Sequence, residues 1–139
     1  MSGRYPSTPH LPCSPGVNAD DISLTGDNCG WLSGEEVVIT EKLDGGNCCL
    51  HAGKVYARTH GQEASHTWFA PIKAAYASFA HLVHDDLMLF GENMTAVHSI
   101  EYDGLSSHFY LFGVRRFSSG EWLSWDEVEA IAAALELPH

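Results

Sequence analysis

Apolar and polar residues alternate along much of the chain, and the pattern predicts six β-strands. The segments are rich in β-branched and aromatic residues and are bounded by glycine or polar turns. They are Glu36–Thr40, Asn47–His51, Lys54–Arg58, Leu87–Phe90, Thr95–Tyr102 and Phe109–Val114. Ala52-Gly53 joins the second and third strands as a short hairpin. We therefore expect an α+β fold with mostly antiparallel sheet and packed helices.

Two segments have helical periodicity. The first, over Thr67–Val83, has an apolar residue every three or four positions, and Pro71 is compatible with it only in the first turn. The stripe consists of Trp68, Ile72, Tyr76, Phe79 and Val83. In the second, Ser124 and Glu127 have the spacing of a capping box, which predicts a helix that continues to Leu135. Both stripes are typical of core packing.

Composition and charge restrict the class of protein. The 139 residues, 45% of them hydrophobic, suit one globular domain. Residues 1–34 are rich in proline and predict an extended arm or, equally, a disordered tail, ahead of a domain over residues 35–139. The formal charge of −11 argues against strong RNA binding by this chain alone. No apolar run approaches the roughly 18 residues of a membrane span, so we expect a cytoplasmic protein.

The four cysteines form no C-x-x-C pair. Cys48 and Cys49 would point to opposite faces of a strand, so they could not readily share a metal ion. We expect reduced and mostly buried thiols in a reducing compartment. His81 and His84 lie three residues apart, but without a third ligand we assign no metal site.

The strongest chemical feature is Lys42-Leu43-Asp44-Gly45-Gly46, where a lysine and a carboxylate stand beside a glycine turn. In isolation, such a lysine is most often a solvated charge beside a hairpin. The alternative is a nucleophile, since a deprotonated lysine amine attacks phosphorus or carbonyl carbon to form a covalent intermediate. The sequence after the turn favours the second interpretation.

Four segments in order resemble motifs of the covalent nucleotidyltransferases, the superfamily of ATP-dependent ligases and capping enzymes. Lys42-Leu43-Asp44-Gly45 resembles motif I (K-x-D-G), and Ala57-Arg58-Thr59-His60-Gly61 resembles motif Ia. Leu89-Phe90-Gly91-Glu92 is similar to motif III, and Phe109–Val114 is similar to the aromatic motif IIIa. With Glu41 before the lysine and His98–Tyr102 after motif III, the closest resemblance is to the RNA ligases. This implies the fold of the ligase adenylation domain, which is ATP-grasp-like.

The resemblance implies a role for each residue, with ATP and Mg²⁺ as cofactors and RNA ends as substrate. Lys42 would take AMP from ATP and pass it to an RNA 5′-phosphate, with Asp44 and Glu92 to orient the amine, a metal-bound water or the ribose. Arg58 would neutralise a phosphate oxygen and Glu41 would accept a hydrogen bond from the adenine amino group. Asn47 is a further nucleotide contact. Phe112 would stack on adenine, with Tyr110 and Phe109 as alternatives.

The resemblance is incomplete in two places. Gly46 stands where related ligases often carry a polar residue, and no E-G-x-V motif IV or lysine-bearing motif V follows Val114. We therefore expect a domain that is incomplete at its C-terminus, with a second chain or a missing half to supply the rest. A non-catalytic remnant that binds a nucleotide or a partner is the alternative, and a His/Cys metal-binding protein is a third hypothesis.

Overall fold

The computed structural model describes residues 4–19, 21–26, 29–58 and 60–139, which divide into two compact units. One unit runs from Tyr5 to Glu41, and the other comprises Lys42–His139 together with Arg4. In the smaller unit, the regular elements among the described residues are a 3₁₀ turn at Gly30–Leu32 and an isolated parallel bridge between His10 and Ser23. The predicted division at residues 34 and 35 stays a prediction.

The larger unit is built on a four-stranded sheet in the order β2-β1-β3-β4. The strands are β1 (Gly46–His51), β2 (Lys54–Ala57), β3 (Leu87–Asn93) and β4 (Phe109–Arg116). All three neighbouring pairs are antiparallel. The structure confirms the predicted α+β class and four of the six predicted strands.

Two α-helices accompany the sheet, α1 (Ala70–Phe79) and α2 (Trp125–Ala134). The predicted helix over Thr67–Val83 is a 3₁₀ turn at Thr67–Phe69, then α1, then a second 3₁₀ turn at Ala80–Leu82. The predicted capping box of α2 is confirmed. The Ser124 hydroxyl accepts a hydrogen bond from the Glu127 amide (3.4 Å), and the Glu127 carboxylate accepts one from the Ser124 amide (2.8 Å).

The core lies on one face of the sheet, where the buried residues of the strands meet both helices. Strand residues in this cluster include Cys48, Leu50, Val55, Leu89, Phe109, Leu111 and Val114, and helix residues include Ile72, Tyr76, Val128 and Ala132. Cys49 is also buried, but it lies outside this cluster, as the alternation along β1 requires. Burial raises the pKa of both thiols, that of Cys49 to about 12. These two cysteines are therefore inert, whereas Cys13 is exposed.

Two predicted strands are wrong. Glu36–Thr40 forms no strand, and its apolar side chains are exposed, Ile39 by 90%. β-Branched composition favours extended backbone, but a strand also needs a paired neighbour. Thr95–Tyr102 is an irregular loop between β3 and β4. Lys42 accordingly lies in irregular chain four residues before β1, and not at the end of a strand as predicted.

Candidate active site

Sheet topology gathers the motif residues at one end of the sheet. Gly46, the first residue of β1, pairs with Asn93, the last residue of β3. Cys48 pairs with Ala57, so Arg58 leaves the edge strand at this same end. The turn that carries Lys42 enters β1 here. Three segments that are distant in sequence therefore meet at the start of β1.

The lysine turn, which we define as Lys42–Gly45, is seated on the end of β3. The Gly45 amide donates a hydrogen bond to Oε1 of Glu92 (3.0 Å). A Cβ on Gly45 would lie 2.5 Å from the Asn93 carbonyl oxygen and 2.6 Å from the Met94 sulfur. Only glycine permits this approach, because Cβ atoms essentially never come within 3.0 Å of another heavy atom. The glycine of the K-x-D-G motif is thus needed for packing.

Asp44 connects the lysine turn to the loop between β3 and β4. Its Oδ2 accepts hydrogen bonds from the Ser99 hydroxyl (2.6 Å), the Ser99 amide (2.9 Å) and the Ile100 amide (3.2 Å). These bonds, chiefly those from Ser99, lower the pKa of the Asp44 carboxyl. The Asp44 amide in turn donates to the Tyr102 hydroxyl (2.9 Å). We call this set of contacts the Asp44 clasp.

The clasp gives Asp44 a positioning role that sequence reasoning missed. Ser99 and Tyr102 lie within the segment His98–Tyr102, which was used for the family resemblance but given no function. The signal was present in the sequence, since polar residues interrupt an otherwise apolar stretch. The contacts could not be recognised from the sequence, because Ser99 and Tyr102 lie 55 and 58 positions after Asp44.

Glu92 is a partly buried carboxylate at the same end of the sheet. Burial raises its pKa, and the hydrogen bond from Gly45 and the positive charges of Lys42 and His98 partly offset this effect. Oε1 is bound to the Gly45 amide. Within the described chain, Oε2 accepts no hydrogen bond. This oxygen can therefore accept a bond from an ammonium group or from a hydroxyl of a ligand.

Asn47 stands directly across the β1–β3 ladder from Glu92, so the two side chains share one face of the sheet. Its Oδ1 is buried and has no hydrogen-bond partner among the described residues. A buried acceptor without a partner is unfavourable by about 1–3 kcal/mol, so such atoms are rare in folded proteins. The unpaired oxygen on the same face as Glu92 is therefore an acceptor that the described residues leave unsatisfied.

The three aromatic candidates of β4 occupy different environments. Phe109 is buried in the core, where its ring fills the space that a Cβ on Gly91 would need. Tyr110 lies opposite Glu92, and its hydroxyl accepts a hydrogen bond from the Ser106 amide (3.0 Å). Phe112 is the extra residue of a β-bulge, half-buried and outside the core cluster. Phe109 is therefore not available for stacking, while Phe112 stays the prediction.

A row of rings continues across the sheet from the edge strand. The His60 ring stacks on Tyr56 at 5.4 Å between centroids and lies 5.9 Å from Phe90, which in turn lies 5.1 Å from Trp122. The guanidinium of Arg115 lies 5.7 Å from the centre of the Trp122 ring. His60 Nε2 is buried without a partner among the described residues. This face therefore combines flat apolar surfaces with unpaired polar atoms.

The remaining predicted residues are charged and exposed. Lys42 is exposed and acts electrostatically on Glu92. Arg58 is exposed at the end of β2, and Glu41 is the last residue of the smaller unit. In the chain as described, no group of three or more His, Cys, Asp or Glu side chains is placed to hold a metal ion. The same residues include no helix with the length and apolarity to cross a membrane.

Comparisons of the sequence and of the fold with known proteins both point to RNA ligases. The sequence model of the RNA ligase family matches residues 35–139. The structure is similar to that of an archaeal ATP-dependent RNA ligase, with a TM-score of 0.53 and 18% sequence identity. The similarity covers 71% of this chain and 28% of the archaeal protein. No curated protein matches the chain.

Proposed function

Because the chain belongs to the RNA ligase family, we propose that it performs the first step of ATP-dependent RNA ligation, the transfer of AMP to Lys42. The observation that carries this proposal is the polar pair beside the lysine turn. There, as far as the described residues go, Glu92 has an unbound carboxylate oxygen and Asn47 has a buried acceptor without a partner. The ribose hydroxyls and the adenine amino group of ATP are donors that would satisfy such atoms.

The chemical step requires a neutral amine. Lysine has an ordinary pKa of about 10.4, so Lys42 must give up a proton before it reacts. Its Nζ then attacks the α-phosphorus, the bond from phosphorus to the bridging oxygen of the β-phosphate breaks, and pyrophosphate leaves. The nitrogen loses a second proton to water, which leaves a neutral phosphoramidate N–H. Glu92 acts electrostatically with Lys42 and is a partly buried carboxylate with raised pKa. In the proposed reaction, Glu92 would orient the amine and accept a hydrogen bond from the ribose.

The other predicted residues have supporting roles. Arg58, at the same end of the sheet, would contact a phosphate oxygen, and Phe112 would supply the face that stacks on adenine. Magnesium ions bind through substrate phosphates, water and one or two carboxylates. The carboxylates of Glu92 and Asp44 would hold Mg²⁺ together with the ATP phosphates. When bound, the ion supplies positive charge to the phosphates.

The test is transfer of label from ATP labelled on the α-phosphate to the denatured chain in the presence of Mg²⁺. Lys42→Ala should abolish the label. The matched control is Lys54→Ala, because Lys54 pairs with His51 at the opposite end of β1 and is also exposed. Label in wild type and Lys54→Ala alone would establish the adenylylated lysine. Absence of label in every chain would refute autonomous catalysis.

Transfer of AMP to an RNA 5′-phosphate and strand sealing form the second part of the proposal. Adding 5′-phosphorylated RNA to the labelled protein should move the label to the RNA. The sequence contains three lysines, and Lys73 is the last of them. This chain therefore provides no lysine after motif IIIa for the α-phosphate. If ATP binds but no label reaches Lys42, the chain is instead a nucleotide-binding remnant.

A further inference from the structure

An exposed tryptophan lies between two histidines close to the lysine turn. Trp68 is 51% exposed, and its ring meets the ring of His66 edge-on at 4.6 Å. On another side it meets His98 edge-on at 6.4 Å. We call these three residues the Trp68 patch. None of them belongs to the core cluster, so core packing does not explain the exposed indole.

The patch is fixed to the site by specific contacts. The Asn93 side chain donates a hydrogen bond to the Trp68 carbonyl oxygen (3.3 Å), and Asn93 pairs with Gly46 at the start of β1. His98 Nε2 lies 3.8 Å from the position of a Cβ on Gly46. His98 also precedes Ser99 of the Asp44 clasp. The exposed Trp68 side chain is thus connected through Asn93 and His98 to the residues around the lysine turn.

The backbone of the patch is ordered without help from the indole. His66 caps the 3₁₀ turn by accepting a hydrogen bond from the Trp68 amide through Nδ1 (3.2 Å). The Trp68 carbonyl oxygen has its partner in Asn93. The ring is therefore presented from a rigid support, as a pre-organised contact surface requires.

Charge limits which part of an RNA this surface can hold. With 18 acidic and 7 basic residues, the chain has few positively charged side chains that can contact RNA phosphates. Stacking of a base on an aromatic ring does not depend on that charge, and it is the usual way in which unpaired nucleotides are bound. When the 5′-phosphate of an RNA strand reaches the adenylylated Lys42, only the bases at the 5′ end of that strand can lie beside the lysine turn.

We propose that the Trp68 patch stacks on an unpaired base at the 5′ end of the RNA strand that receives AMP. The proposal rests on the proposed function, and it identifies the substrate as an RNA end that is single-stranded where it meets the enzyme. A base inside a duplex has both faces covered by its neighbours, and the terminal base pair leaves only its outer face uncovered. The patch therefore selects frayed or single-stranded ends.

The test compares four full-length chains: wild type, Trp68→Ala, Trp68→Phe and Leu82→Ala. Leu82 is the matched control because it is 62% exposed and lies at the other end of the helical segment, so its truncation also removes exposed apolar surface. The probe is a ten-nucleotide single-stranded RNA with a 5′-phosphate and a 3′ fluorophore. Fluorescence anisotropy gives its Kd for each chain, and label transfer from ATP gives the rate of lysyl-AMP formation.

We expect Trp68→Ala to weaken RNA binding roughly 5- to 100-fold, the range for loss of one stacking aromatic. Trp68→Phe should restore most of the affinity, and Leu82→Ala should match wild type. The rate of lysyl-AMP formation should be equal in all four chains. A fully paired duplex of the same sequence should bind no better to wild type than to Trp68→Ala.

Several results would overturn the proposal. Equal RNA affinity in wild type and Trp68→Ala, including no binding by either, would show that the patch does not hold a base. This outcome would also be expected if the patch were a protein-binding surface. Equal weakening in Trp68→Ala and Leu82→Ala would indicate nonspecific apolar adsorption. If no chain forms lysyl-AMP, the proposed function fails, and the anisotropy comparison still decides the role of the patch.

Discussion

Gly45, in the lysine turn, is tightly packed, whereas Gly46, at the start of β1, is not. Substitution by alanine should therefore have different effects at the two positions. A Cβ at position 45 would meet the Asn93 carbonyl oxygen at 2.5 Å and the Met94 sulfur at 2.6 Å. A Cβ at position 46 would meet nothing closer than His98 Nε2, at 3.8 Å. Neither glycine has a positive φ, so alanine is conformationally acceptable at both. The two variants therefore differ in packing alone.

The expected magnitude follows from these distances. The closest approach of real Cβ atoms is 3.0 Å, so the Asn93 carbonyl and position 45 must separate by about 0.5 Å. That carbonyl belongs to β3, which is paired on both sides and resists movement. Overpacking of this kind destabilises a protein by about 1–3 kcal/mol. With an unfolding entropy of roughly 0.3 kcal/mol/K for a chain of this length, Tm should fall by roughly 3–10 °C.

Catalysis should respond as well, because Lys42 lies three residues before Gly45. A misplacement of about 1 Å can lower a rate on the order of a hundredfold, so about half that distance should lower lysyl-AMP formation roughly tenfold. Gly46→Ala should change Tm by less than about 2 °C, as surface substitutions usually do, and should leave the rate near that of wild type.

Two assays test this prediction. Circular dichroism monitors thermal denaturation, and a single-turnover experiment measures the rate of lysyl-AMP formation. The reasoning is refuted if Gly45→Ala has the Tm of wild type, or if Gly46→Ala lowers Tm by the same amount. If Gly45→Ala keeps the Tm of wild type but forms lysyl-AMP more slowly, the loss of rate is not caused by steric packing against β3.

Three further predictions concern the Asp44 clasp and His60. Ser99→Ala should slow lysyl-AMP formation with little change in the KM for ATP, and Ser99→Thr should restore the rate; an equal loss in both variants would contradict the clasp. The pKa of Asp44 is lowered, so its stabilisation exists above its ordinary value of 3.8 and is lost as the pH falls through the folded-state value. The difference in unfolding free energy between wild type and Asp44→Asn should therefore be larger at pH 6 than at pH 3, and a constant difference would disprove this assignment. Burial, with the charge of His51, lowers the pKa of His60 below 6.5, so the unfolded chain binds a proton first as the pH falls and stability decreases. The urea midpoint should drop between pH 7.5 and 5.5 more in wild type than in His60→Phe; equal drops would contradict the assignment to His60.

The periodic elements of this fold could be predicted because their signals are local. The alternation in β1, β2 and β4 and the capping box of α2 are visible within about ten residues, and the structure contains all of them. Glu36–Thr40 shows the limit of that approach. Its composition favours a strand, but no other segment pairs with it among the described residues, and Ile39 stays 90% exposed.

Only those residues of the candidate site that belong to the sequence motifs could be predicted. Position in the motif was enough to select Lys42, Arg58 and Glu92, and the antiparallel register accounts for their place at one end of the sheet. The three hydrogen bonds from Ser99 and Ile100 to Asp44 could not be predicted. They join segments that are more than fifty residues apart, and they leave no periodic trace in the sequence.

The Asp44 clasp also links the turn that carries Lys42 thermodynamically to the loop after β3. Ser99 and Tyr102 hold one end of the Lys42–Gly45 turn, and His98 next to them touches the Trp68 ring. Any molecule that shifts this loop changes the free energy of the turn, and linkage is reciprocal for binding equilibria. Under the proposed function, an AMP group on Lys42 that shifts the turn would therefore change the affinity of the loop for a bound molecule. Asp44 is the residue that joins the turn to this loop, which is distant in sequence.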